Sequence, residues 1–203
     1  MIKYLLLATF IFFNNSTNAN DYFKALELFN KKKIEESILY FKKVANNPNN
    51  EKRSDAMFNI ALIYDNGFGV QTDKTRAIYY YEAASQLSNK YALYNLGWMY
   101  FNGENVNKDV IKAFELYKLA SDFGHPRAMY NLANMYFSGT GTVKDLKMSY
   151  KMFLKSKMNG ISESEFYIQK ISQTLKPEEL NLLNAEFDSL IEKKIALPSS
   201  DQW

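Results

Sequence analysis

The chain has 203 residues, a formal net charge of +3 and no cysteine. Its 47% hydrophobic content is too high for a disordered chain and suffices for one domain-sized core. The small basic excess, with no cluster denser than Lys31–Lys33, argues against a nucleic-acid partner. Lack of cysteine excludes disulfides, a thiol nucleophile, a Cys-based zinc site and a lipid anchor on an N-terminal Cys.

Residues 1–19 differ from the rest. One positive charge in MIK precedes the apolar run YLLLATFIFF (4–13), and Thr17 and Ala19 stand where a signal peptidase reads. This is the pattern of a cleaved signal peptide, with a mature chain starting at Asn20 in the periplasm or outside the cell. A retained anchor is the alternative, although a bilayer span needs roughly 20 apolar residues. Residues 20–50 read as an N-terminal capping hairpin: DYFKALELFNKKKIEESILYFKKVA (21–45) gives two helices joined near Lys31–Lys33, then the polar loop NNPNN.

The middle of the chain repeats itself. AMFNIALIYDNGFGV (56–70), ALYNLGWMYFNGENV (92–106) and AMYNLANMYFSGTGT (128–142) recur at a spacing of 36. Ala56, Ala92 and Ala128 are in register, as are Tyr64, Tyr100 and Tyr136, and Gly67, Gly103 and Gly139. Asp73, Asp109 and Asp145 follow, then Ala77, Ala113 and Ser149, and Ala84, Ala120 and Ser156. The repeats occupy 54–90, 91–126 and 127–160. Each reads as two helices. In the first copy they cover about 55–65 and 74–86. Glycine after the first helix supplies a left-handed turn, and Asp73 accepts backbone N–H bonds at the start of the second. Small residues let the helices approach; Tyr64, Tyr81 and Tyr100 are expected in the core. Ser149 and Ser156, where the other copies have Ala, predict looser packing of the third pair.

Residues 161–197 form degenerate capping helices. Ser164, Phe166, Tyr167 and Ile168 keep first-helix register, and Pro177-Glu178-Glu179 opens a last helix to about Ala196. Residues 198–203 are a tail.

The phrase with Ala, Asn, Tyr and the glycine loop, followed by Asp, Ala and a closing Ala-Ala-x-x-Gly, resembles the Sel1-like repeat family, relatives of tetratricopeptide repeats. The resemblance covers about 54–160. It implies an all-α fold, a right-handed α-solenoid of stacked helix-turn-helix repeats, serving protein–protein interaction. Some relatives are linked to β-lactam binding or hydrolysis. Those are cysteine-rich, so that activity is not carried over.

No catalytic constellation is apparent. His125, the sole histidine, lies in FGHPRA between copies and has no titrating partner fixed by sequence. No serine has lysine three positions on, and there is no H-E-x-x-H or P-loop. The glycines sit in helical hairpins, so they do not cradle phosphate. No metal and no small-molecule cofactor is expected. Paired acids such as Glu35-Glu36 read as solvated faces.

The candidate site is a face of the first helices. It contains Asp55, Asn59, Leu62 and Asn66 in copy one, Tyr91, Asn95, Trp98 and Asn102 in copy two, and Arg127, Asn131, Asn134 and Ser138 in copy three. In a solenoid resembling the family fold these faces line one concave groove. Asn offers both a donor and an acceptor to an extended peptide backbone, and an exposed Trp is the type of residue that anchors an interface. The bland alternatives are an Asn that holds the neighbouring hairpin and a Trp98 packed on the adjoining helix. The expectation is an exported, non-enzymatic adaptor for a protein or peptide. Rival readings are a cell-wall or β-lactam-acting enzyme and a structural subunit of an envelope complex.

Overall fold

The computed structural model describes residues 20–196, and all of the regular elements there are helices. Helix α1 covers residues 20–30. It is followed by α2 (Ile34–Ala45), α3 (Arg53–Asn66), α4 (Lys74–Gln86), α5 (Lys90–Asn102), α6 (Val110–Asp122), α7 (Pro126–Ser138), α8 (Leu146–Met158), α9 (Ser164–Ser172) and α10 (Pro177–Ala196). The chain divides into two compact units between Lys108 and Asp109. Residues 1–19, expected to form a signal peptide, and the tail residues 198–203 lie outside the described residues.

The first unit holds α1 to α5. Leu28, Phe41, Val44, Ile60, Ile63, Tyr81, Leu93 and Leu96 form its interior. Ala56, Ala61, Ala77 and Ala84 are fully buried. No side chain beyond Cβ stands between the helices there, so their backbones approach closely. Asp73 caps α4 as its spacing predicts, accepting from the Arg76 N–H at 2.9 Å. Asn89 caps α5 through the Tyr91 and Ala92 N–H groups.

The N-terminal hairpin is a shortened copy of the repeat. Ala25 stands 36 residues before Ala61, whereas Ser37 stands 40 before Ala77, so its turn is four residues shorter. That turn bends through Lys32 at φ 59° instead of a glycine pair.

The second unit holds α6 to α10. Its interior includes Phe114, Tyr117, Leu132, Met135, Phe153 and Ile171. Packing here corrects the expectation of a loose third pair. Ser149 and Ser156 are fully buried. The Ser149 hydroxyl donates to the Ala133 carbonyl at 2.8 Å, and that of Ser156 to the Pro126 carbonyl at 3.2 Å. A hydroxyl only slightly larger than hydrogen, with an acceptor in reach, serves the same close approach as alanine. Ser37 does the same in the N-terminal hairpin, donating to the Ala25 carbonyl at 2.8 Å. A second correction concerns Tyr100: it is half-buried, whereas Tyr64 and Tyr81 are buried.

The glycine loops do two jobs. Gly67, Gly103 and Gly139 end their helices with positive φ, at 68°, 76° and 76°. The second glycine sets how near the loop lies to the preceding hairpin. A Cβ on Gly141 would stand 2.4 Å from the Val110 carbonyl oxygen at the start of α6, and one on Gly69 would stand 2.4 Å from the Ile34 side chain of α2. The loop that ends one hairpin's first helix thus rests directly on the second helix of the hairpin before it.

Candidate partner-binding site

Five of the eight predicted residues lie in the first unit. Asn59 is half-buried, and its amide donates to the Asp55 carbonyl at 2.9 Å and to the Tyr22 hydroxyl at 3.1 Å. It therefore ties α3 to α1 of the N-terminal hairpin. Asn95 is half-buried and hydrogen-bonds the Tyr81 hydroxyl. That hydroxyl donates to Asp65 at 3.0 Å, and Asp65 accepts from Lys74 at 2.7 Å. Burial, followed by the Asp65 charge, pushes the Tyr81 hydroxyl far above its ordinary range. The hydrogen bond from Lys74 to Asp65 raises the lysine in turn. These two asparagines are committed to the fold, the alternative already weighed for the Asn row.

The other three residues are open to solvent. Tyr91 is 47% exposed and Trp98 43% exposed. They stand two turns apart on α5, so they share a face. Tyr91 packs its ring 5.6 Å from Phe58 of α3, with the Lys90 ammonium 5.4 Å from its centre. Asn102 is exposed and donates to the Trp98 carbonyl at 2.9 Å, which fixes the end of the helix beside the indole. Part of the Trp98 side chain therefore remains open to solvent.

The second unit holds Arg127, Asn131 and Asn134 on α7. Arg127 is exposed. Asn134 donates to the Tyr130 carbonyl at 3.0 Å. Asn131 is half-buried and has no hydrogen-bond partner among the described residues, so both ends of its amide remain available. Just before α7, His125 is buried, and its Nδ1 accepts from the Ala128 N–H at 3.2 Å. The lone histidine is a helix cap, in keeping with its structural reading.

The sequence reading missed an aromatic patch in this unit. Tyr167 of α9 stacks on Phe153 at 4.7 Å and meets Phe137 at 5.6 Å and Tyr130 at 6.2 Å. Phe166 beside it is 65% exposed. Lys144 and Lys170 both lie over the Phe137 ring, at 5.8 and 5.4 Å from its centre. A signal for part of it was present: Phe101 and Lys108 recur 36 residues later as Phe137 and Lys144, and Lys108 also lies over its ring, at 6.0 Å.

Among the described residues no group of three or more His, Cys, Asp or Glu is placed to hold a metal ion. No helix among them is long and apolar enough to cross a membrane. What this architecture presents is exposed side chains on the first helices, held on a scaffold of capped helical hairpins. It defines a helical-repeat protein of the α-solenoid class. The Sel1 repeat matches three times, at residues 54–89, 90–125 and 126–161, and the chain belongs to the Sel1 repeat family.

Solved structures agree on the fold. A Sel1 repeat protein from Oxalobacter formigenes superposes with TM-score 0.66 at 24% identity, over 72% of this chain and 59% of that one. The protective antigen c5321 of uropathogenic Escherichia coli, described as displaying an SLR fold, gives 0.68 at 22% identity, over 78% of this chain and 34% of that one. Helicobacter pylori cysteine rich protein B gives 0.50 at 25% identity, over 64% and 90%. This chain thus spans 59% and 34% of the first two proteins, less than two thirds of each. No curated protein matches the sequence. Sel1 repeats in general mediate protein–protein interaction, and that is the functional class of this fold.

Proposed function

We propose that the chain is an exported, non-enzymatic adaptor that holds a protein or peptide partner against the exposed face of its first helices. The observation that carries this reading is Trp98, 43% exposed on a face otherwise lined by polar residues, with Tyr91 beside it. A large amphipathic ring held on a rigid helix costs little entropy to immobilise and removes much apolar area from water on binding. Asn102, beside Trp98, supplies a polar contact to a backbone, and in the second unit Asn131 offers the same kind of contact by itself. Asn59 and Asn95 act indirectly, by holding the helices that present the others. Export rests on the charged start, the short apolar run and Ala19 in residues 1–19. Intact-mass analysis of the envelope fraction tests it: the mature chain begins at Asn20, and recovery of Met1 there contradicts it.

The binding face is tested by a photo-crosslinking residue placed at Trp98 and, in a separate variant, at Tyr79 of α4, which is 65% exposed. The adaptor reading predicts one defined adduct from position 98 and none from 79. Equal labelling, or a defined adduct only from 79, contradicts it.

A further inference from the structure

The second unit carries a charge arrangement that the adaptor reading leaves unused. Lys144 in the loop after α7 and Lys170 on α9 both direct their ammonium groups at the ring of Phe137, each within 6 Å of its centre. The ring face attracts each cation, but the two cations repel each other. No carboxylate among the described residues forms an ion pair with either one. The nearest acids on α9 and its approach are engaged elsewhere: Glu165 pairs with Lys157 and accepts from Gln169, and Glu163 accepts from Ser162. Phe166 presents most of its ring to solvent close by, and the Phe166 and Tyr167 rings meet edge to face at 5.3 Å.

Two cations without a carboxylate partner among the described residues, both beside one apolar ring, match an acidic segment that has an apolar neighbour. We infer that the Phe137–Lys144–Lys170 patch, with Phe166 at its edge, docks an acidic extended peptide segment of a partner protein. Carboxylates of that segment pair with the Lys144 and Lys170 ammonium groups, and an aromatic or aliphatic side chain next to them covers Phe166. Charge complementarity is the argument for this occupant: a basic or neutral segment leaves the two lysines uncompensated and desolvates them at a cost. The inference rests on the adaptor reading in taking the first helices as the binding side. It adds the chemistry of the partner.

Fluorescence anisotropy tests it with two labelled octapeptides, one alternating Glu and Phe and one alternating Gln and Phe. The wild-type chain is expected to bind the Glu peptide about tenfold more tightly than the Gln peptide. Raising the salt toward 1 M removes most of that preference, as does the double substitution Lys144→Gln with Lys170→Gln. Phe166→Ala weakens both peptides. The melting temperature of each variant is measured alongside; Lys144 and Lys170 are exposed, so it stays near wild type. Equal binding of the two peptides, or a preference for Glu that survives the double substitution, overturns the inference, and so does binding of neither peptide. The adaptor reading stands or falls separately, on the crosslink at position 98.

Discussion

Ser164 occupies the register position of Ala56, Ala92 and Ala128, all fully buried. It is fully buried too, and its hydroxyl has no hydrogen-bond partner among the described residues. Ser149, Ser156 and Ser37 each found a backbone carbonyl; Ser164 did not. A buried, unpaired hydroxyl costs about 1–3 kcal/mol relative to one that stays in water. Ser164→Ala should therefore stabilise the chain by about 1 kcal/mol and raise the melting temperature by about 2–4 °C. A melting temperature unchanged or lowered contradicts that. The asparagines divide by the same reasoning. Asn59→Ala removes the link to Tyr22 and should cost about 1 kcal/mol of stability, whereas Asn131→Ala should leave the melting temperature alone. Equal losses would show that Asn131 is structural after all. Sequence register alone aligned these asparagines and could not separate them. What separates them is which neighbour reaches each amide, and Tyr22 lies 37 residues from Asn59.

At the scale of elements, helix boundaries were largely legible because the chain punctuates them chemically. Asp73, Asp109 and Asp145 cap α4, α6 and α8 where their spacing placed them, and Gly67, Gly103 and Gly139 end α3, α5 and α7. What the pattern did not reveal was contact between loops and neighbouring hairpins. The Phe137 patch was missed for that reason: Phe166, Tyr167 and Lys170 come from a degenerate helix whose motif has faded. The glycine loops allow a direct check. Gly124 and Gly141 both have positive φ, at 80° and 72°, but a Cβ on Gly124 meets nothing within 4 Å. Gly124→Ala should cost about 1 kcal/mol, from backbone strain alone. Gly141→Ala adds a clash with the Val110 carbonyl and should cost about 3 kcal/mol or more. Chemical denaturation of the pair decides this; equal losses would mean that the loop does not rest on α6.

Across the whole molecule, stability rests on packing, since the chain has no cysteine to cross-link. Tyrosine, present 15 times, fills much of that packing. Burial is the leading cause that raises Tyr22, Tyr80, Tyr81, Tyr130, Tyr136 and Tyr150 above the ordinary value of 10.0. The folded chain therefore favours neutral hydroxyls more strongly than the unfolded chain does. This stabilisation is complete below pH 10 and is lost as pH rises from the unfolded value through the folded ones. Absorbance at the tyrosinate band should rise in two stages above pH 10, with the second coincident with loss of helix by circular dichroism. A single stage complete while helix is retained contradicts the burial of these rings.

The central claim is that an exposed face of the first helices, anchored by Trp98, binds a partner. The most direct measurement follows the affinity of the protein crosslinked at position 98, together with the melting temperature, for wild type and Trp98→Ala. The account predicts binding weaker by about thirtyfold, equivalent to about 2 kcal/mol, with the melting temperature unchanged. Undiminished affinity, or a fall in melting temperature large enough to show Trp98 as core, contradicts it.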